Sequence, residues 1–201
     1  MVNILTRAIM MSTPLLLGAL AEVYAERTGM MICAIEGIFL IGAWGGFVGT
    51  YLSGSLLVGL LLAIALGGLM ALLYAFVTVP LGQQQVVPGT AMNILGTAAA
   101  TVIVKAINTA ANPNDVSSTI QYVEPKKAFL VNIGSFEFNW FMVVAVIALV
   151  LCYITLYKTR FGLRLMACGE HPQAAASVGI SVYKMRWAGV LISGMLGGLG
   201  G

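Results

Sequence analysis

An all-α, polytopic membrane bundle is the fold class that this sequence predicts, on three observations. Of its 201 residues 60% are hydrophobic and only 8% charged, where soluble domains carry about 25% charged residues. Positions 37 to 104 contain no Asp, Glu, Lys or Arg, and a helix crosses a bilayer with ~20 apolar residues. Trp140 opens another apolar block and Tyr153 and Tyr157 close it, the placement of aromatic rings at two membrane interfaces. These features exclude an ordinary soluble domain. They predict one transmembrane domain over residues 1–201, with about five spans and the start of a further, truncated one.

The elements follow in order. Residues 8–21 are apolar but contain Pro14 and stop at Glu22, so they read as a short span, a tilted helix or a re-entrant piece. Arg7 ahead of them fits the start of a signal peptide, while Glu22 and the spans that follow favour a retained helix. After the polar knot of Glu22, Glu26, Arg27 and Gly29, residues 30–51 predict a second span, interrupted by Glu36. Ser53, Gly54 and Ser55 break the chain. Residues 55–79, dominated by Leu and Ala, are the clearest membrane helix.

Pro80, Gly82 and the glutamines Gln83 to Gln85 make a polar turn before a softer block, residues 86–107, that carries Pro88, Thr90, Asn93, Thr97 and Thr101. An unpaired amide or hydroxyl is costly in hydrocarbon, so these side chains should face other helices or a water-filled path. Residues 108–139 predict a polar loop whose 129–138 half forms a hairpin or a surface helix. Residues 139–157 span again. Residues 187–201 are uncharged and too short to cross, and the chain is expected to break off there inside a helix.

Charge sets the orientation. The 158–186 segment holds Lys158, Arg160, Arg164, Lys184 and Arg186 against Glu170, whereas the 108–139 loop sets Lys126 and Lys127 against Asp115, Glu124 and Glu137. The basic segment is therefore expected in the cytoplasm and the acidic loop outside. Working backwards, the glutamine turn and Arg27 are cytoplasmic and Ser53 and Gly54 are outside. Cys33, Cys152 and Cys168 are scattered without a C-x-x-C pair, and His171, the one histidine, has only Cys168 near it, so neither a disulfide framework nor a metal site is predicted. No cofactor is expected.

Several side chains stand out against this apolar background. Glu36, some six residues into its expected span, reads either as an intramembrane functional acid or as a helix-to-helix tie. Gln85, Thr90, Asn93 and Thr97 read either as the lining of a path for a polar solute or as interhelical hydrogen bonds. The pairs Gly42/Gly46, Gly45/Gly49 and Gly194/Gly198 have the G-x-x-x-G spacing that lets helices approach closely. In the 158–186 segment, Pro172 follows a Gly-Glu-His turn and Gly179 stands downstream, which predicts a short helix outside the membrane.

The Thr159-Arg160-Phe161-Gly162 run, Ala167 to Ala175 with Gly169, Glu170 and Pro172, and Gly179-Ile180 resemble the cytoplasmic coupling loop of ABC-importer permeases of the branched-chain amino acid, ribose and nucleoside class. The stretches at Thr13-Pro14-Leu15-Leu16, Glu26 to Gly29, Ile35-Glu36-Gly37 and Gln85-Val86-Val87 with Asn93 are similar to the shorter permease of nucleoside and simple-sugar importers. Pro88 and His171 depart from the usual residues of that pattern. The resemblance implies a permease that moves nucleosides or simple sugars across the bacterial cytoplasmic membrane. It also implies a second permease, an ABC ATPase, a periplasmic or lipid-anchored solute-binding protein and the surrounding lipid as partners, and no nucleic acid. Gly169, Glu170, Pro172, Ala174, Ala175 and Gly179 would then form the coupling helix that docks on the ATPase. The chain has no G-x-x-x-x-G-K-[ST] loop, so ATP hydrolysis is expected on a separate subunit.

Three other readings remain. The same scaffold suits branched-chain amino acids. A stand-alone channel or secondary carrier would need no ATPase. A membrane enzyme would need clustered acids or histidines, for which Glu22, Glu26 and Glu36 are the only candidates, and no Ser-His-Asp set is visible.

Overall fold

The computed structural model describes residues 2–111, 130–133 and 136–201. Its helices are α1 (Val2–Glu26), α2 (Ile35–Ser53), α3 (Leu56–Thr78), α4 (Val86–Ala111), α5 (Trp140–Tyr153), α6 (Arg160–Glu170), α7 (Pro172–Ser177) and α8 (Val182–Gly200). The strands β1 (Leu130–Ile133) and β2 (Phe136–Asn139) form one antiparallel hairpin, with Leu130 opposite Asn139 and Ile133 opposite Phe136. Of the two forms expected for the 129–138 stretch, the hairpin is the one found. The remainder of the 108–139 loop, with Asp115, Glu124, Lys126 and Lys127, lies outside the described residues.

Among the described residues, four helices are long and apolar enough to cross a membrane, over Ile35–Ser53, Leu56–Thr78, Val86–Ile107 and Phe141–Lys158. The class agrees with the sequence; the number of spans is lower than the five or so expected. α1 is a 25-residue helix with Arg7 and Pro14 inside it, and α8 is diluted by Lys184, Arg186 and its glycines. Both are nevertheless continuous helices inside the bundle.

α8 is the centre of the packing, set among α1, α2 and α3, while α4 lies mainly on α2 and α5 on α1. Glycine makes this possible. A Cβ on Gly42 would lie 2.7 Å from Gly198 Cα, and one on Gly67 would lie 2.6 Å from both Gly194 O and Gly198 Cα. Lipid tails are as apolar as leucine, so helices in a bilayer associate through such close backbone approach and not by hiding hydrophobic surface. Around this seam Ile38, Ile41, Met70, Ala71, Tyr74, Ala75 and Val190 form the main core, which also takes in Met30, Ile32 and Ala34. A smaller cluster of Tyr24, Cys152, Leu156 and Leu165 joins α1, α5 and α6.

Several boundaries differ from the sequence reading, among them α1, which runs Val2–Glu26 and not 8–21, and α8, which starts at Val182 and not at 187. α2 begins at Ile35, not near position 30, because the backbone of Met31, Ile32 and Cys33 is held by the side chains of Gln85, Tyr74, Glu22 and Asn93. Glu36 therefore stands in the first turn of α2, exposed, and not several residues into a span. The 139–157 block divides into α5 and a π-helical turn, Ile154–Lys158. The stretch from Arg160 to Glu170, read as part of the 158–186 coupling loop with no helix of its own, is the helix α6, with Gly162, Leu165 and Cys168 buried and Arg160, Leu163 and Arg164 exposed.

Candidate functional site

Three segments converge at one end of the bundle: the 27–34 connection, the glutamine turn before α4, and the α6–α7 pair. α1 closes with Gly29 at φ 77°. Gly29 N–H donates to Glu26 O at 2.9 Å and Met30 N–H to Ala25 O at 3.2 Å, the two bonds of a Schellman cap, whose left-handed position favours glycine. The chain then stays non-helical through Ala34 although Thr28, Met30, Ile32 and Ala34 are all buried.

Irregular backbone inside a membrane protein has to find its hydrogen bonds within the protein. Here four side chains supply them. Gln85 Oε1 accepts from Met31 N–H at 2.7 Å and its Nε2 faces Gly29 O at 3.5 Å. Tyr74 Oη donates to Met31 O at 2.5 Å, with Gln85 O at 3.2 Å beside it. Glu22 Oε1 accepts from Ile32 N–H at 3.3 Å. Asn93 spans the entry to α2: its Nδ2 donates to Cys33 O at 2.9 Å and its Oδ1 accepts from Gly37 N–H at 2.8 Å.

The α6–α7 unit sits on the other side of this connection. Thr159 caps α6 by accepting from Gly162 N–H at 3.2 Å, and a Cβ on Gly162 would overlap the carbonyls of Thr155 and Leu156. The Thr-Arg-Phe-Gly run thus encodes a cap and a close return onto the π-helical turn. That turn is tied to α1 by the hydroxyls of Tyr24 and Thr155 and by Arg27 Nη2, which donates to Tyr157 Oη at 3.0 Å. Gly169, in the last turn of α6, meets the Arg27–Gly29 backbone directly. A Cβ there would overlap Arg27 O and lie 3.0 Å from Gly29 N.

α7 projects beyond this base. Pro172 is its first residue, where the missing N–H costs nothing. Gly179 N–H to Ala176 O and Ile180 N–H to Ala175 O, both 3.0 Å, form a second Schellman cap with Gly179 at φ 83°. The six residues expected to dock on an ATPase therefore divide. Glu170, Ala174 and Gly179 are exposed and Pro172 partly so, whereas Ala175 is 5% exposed and turns inward and Gly169 is spent on packing. Val178, 79% exposed at the tip, was missed by sequence reasoning although an aliphatic side chain between a six-residue helix and its glycine stop was the available signal. A shallow depression of about 360 Å³ is lined by His171, Pro172, Gln173 and Ala174.

The five path candidates also separate. Gln85 and Asn93 are engaged on the 27–34 connection. Thr90 and Thr97 lie exposed on α4, and each donates to its own helix: Thr90 Oγ1 to Val86 O at 3.0 Å and Val87 O at 2.9 Å, Thr97 Oγ1 to Asn93 O at 3.0 Å and Ile94 O at 2.9 Å. Thr101 repeats the pattern with Thr97 O and Ala98 O at 2.9 Å. Such hydroxyls tolerate lipid and still offer oxygen lone pairs to a solute. Glu36 is exposed in the first turn of α2, one residue before Gly37, whose N–H Asn93 holds. Tyr74 was not foreseen, and Glu22 was named only as an acid of the polar knot and of a possible membrane enzyme; a tyrosine in a Leu-rich helix is the signal, since its hydroxyl requires a partner when buried.

Among the described residues no cluster of three or more His, Cys, Asp or Glu is placed to hold a metal ion. Cys168 is buried, and burial pushes its thiol up from the ordinary range while nearby Arg186 pulls the other way, the environment of an inert packing cysteine.

Comparison with known proteins gives a consistent set. Residues 4–201 match the family described as "Branched-chain amino acid transport system / permease component". The chain is 36% identical over 200 residues to the guanosine ABC transporter permease protein NupQ of Bacillus subtilis, covering 94% of this chain and 63% of that protein. It is 35% identical over 208 residues to the nucleoside ABC transporter permease protein NupC of Lactococcus lactis subsp. cremoris, covering 98% of this chain and 65% of that one. It is 30% identical over 201 residues to the putative glucose ABC transporter permease protein TsgC13 of Haloferax volcanii, covering 99% and 61%. The chain thus spans less than two thirds of the length of these relatives. No solved structure matches it.

Proposed function

The chain belongs to the permease family of branched-chain amino acid transport systems, and from that premise we propose that it is a membrane-spanning subunit of an ATP-driven importer for nucleosides. The observation that carries this reading is α7, a short capped helix held out on a rigid base with Ala174 and Val178 exposed beside an open depression. A bare connector between helices runs ~2–8 residues and needs no such base. An exposed helix with apolar groups on one face suits the helix-in-groove mode of protein recognition. The partner that fits is an ABC ATPase subunit on the cytoplasmic face, with a second permease beside this one and a solute-binding protein outside, in a bacterial cytoplasmic membrane.

In this reading ATP is hydrolysed on the partner, and the chain contributes mechanical work. ATP-driven closure of the ATPase moves α7 and, through it, the helices that gate the path, a rigid-body change driven by differential binding of two states. Thr90, Thr97 and Thr101 form an exposed polar stripe on α4, suited to the hydroxyl- and amide-rich surface of a nucleoside. The nucleoside reading follows the names of the two relatives with the higher identities among the three above; a simple sugar is the second reading, favoured by the glucose permease relative.

Proteoliposomes holding the chain with its ATPase, companion permease and binding protein should accumulate radiolabelled guanosine when supplied with ATP, and should not do so when the ATPase is omitted. Uptake that persists without the ATPase would assign the protein to channels or secondary carriers.

A further inference from the structure

The 27–34 connection is gripped from two sides by different parts of the molecule. On one side lie the elements nearest the proposed docking helix. Gly169 of α6 rests on the Arg27–Gly29 backbone, and a Cβ on Gly189 of α8 would overlap Thr28 Cγ2. On the other side lie α3, α4 and the turn that leads into α4, through the Tyr74 hydroxyl and the carboxamides of Asn93 and Gln85. The carboxamides use their donor and their acceptor on the same strip of backbone. Asn93 further ties Cys33 O to Gly37 N–H, and beside it α2 and α4 touch so closely that a Cβ on Gly96 would sit 2.9 Å from Gly37 Cα.

α4 has few other anchors. It packs mainly on α2, and only weakly on α3, and most of its surface is exposed. Its position at this end of the bundle is thus set by the connection and by its contacts with α2. A displacement of α6 and α7 has a direct steric route into that connection, because glycine backbone meets glycine backbone with no flexible side chain between them. From there it reaches α4 through two short amide clamps.

We propose that residues 27–34 are the strap through which the α6–α7 unit sets the position of α4, with Gln85 and Asn93 as its positioning residues. This deepens the functional reading above and rests on it. The strap explains why a buried, non-helical segment is retained where a tighter helix-to-helix turn would serve packing alone. It also gives the two polar residues of the α4 region a role other than contact with solute.

The test uses the assembled importer in proteoliposomes, with guanosine as the probe, and reads guanosine taken up per ATP hydrolysed. Gln85→Ala and Asn93→Ala should leave copurification with the ATPase and its basal ATP hydrolysis near wild type while lowering that ratio roughly 2- to 30-fold, the range of measured coupling effects. Gln85→Glu, which keeps the acceptor for Met31 N–H, should retain a ratio closer to wild type. A merely structural role would lower assembly, hydrolysis and uptake together and leave the ratio unchanged. If Asn93→Ala does not assemble, Gln85→Ala, partly exposed at the turn, carries the same test. A wild-type ratio in the alanine variants, or a Gln85→Glu defect as deep as that of Gln85→Ala, overturns the strap alone. A wild-type complex that shows no ATP-dependent guanosine uptake overturns the functional reading beneath it.

Discussion

Gly169→Val should destabilise the protein by about 3 kcal/mol, at the upper end of the cost of overpacking a close-packed site. The new Cβ would overlap Arg27 O and press within 3.0 Å of Gly29 N, and neither obstacle is the far end of a side chain that can swing away. Both belong to the turn that closes α1, where Gly29 is fixed at φ 77° and its N–H is bonded to Glu26 O. α6 would have to lift from α1, drawing with it Leu165, which is fully buried with Tyr24 and Leu156. The measurement is the midpoint of heat-induced aggregation of the detergent-purified protein, expected to fall by several degrees, with a smaller fall for Gly169→Ala. A midpoint equal to wild type would mean that α6 does not rest on the Arg27–Gly29 turn.

Ala174→Trp should act in the opposite manner, sparing the fold and removing the partner. Ala174 is exposed on α7 and borders the open depression with His171, Pro172 and Gln173, so an indole there has room in the isolated chain. Against a complementary ATPase groove it does not. A misfit in the centre of an interface costs on the order of 2 kcal/mol or more, about 30-fold in affinity. The expected result is an unchanged thermal midpoint with loss of copurifying ATPase and of ATP-driven uptake. Undiminished copurification would place the docking surface elsewhere. Paired with Gly169→Val, the variant separates two residues that sequence reading assigned to one role.

The helical class and several helix ends were legible because hydropathy and punctuation act locally. The left-handed Gly54 ends α2 and Gly179 ends α7, and Pro172 opens α7, as their residue types predict. What escaped were features decided by distant partners. Nothing local marks residues 30–34 as non-helical; Gln85, Tyr74, Glu22 and Asn93 make them so from positions 10 to 60 residues away. The same distance effect hid the helical state of residues 160–170, whose buried face packs on the π-helical turn and on α8, and the inward aim of Ala175. The glutamine and asparagine of the α4 region were legible as polar groups needing partners, but whether solute or backbone satisfies them is settled only by geometry.

The sidedness of α7 tests the account most directly. In inverted and right-side-out vesicles of cells expressing the full-length protein, a membrane-impermeant maleimide should react with Ser177→Cys, exposed on α7, only from the cytoplasmic face, and with Thr109→Cys, exposed near the far end of α4, only from the outside. Labelling of Ser177→Cys from the exterior would contradict the account, because no ATPase could then reach the helix that it is proposed to grip.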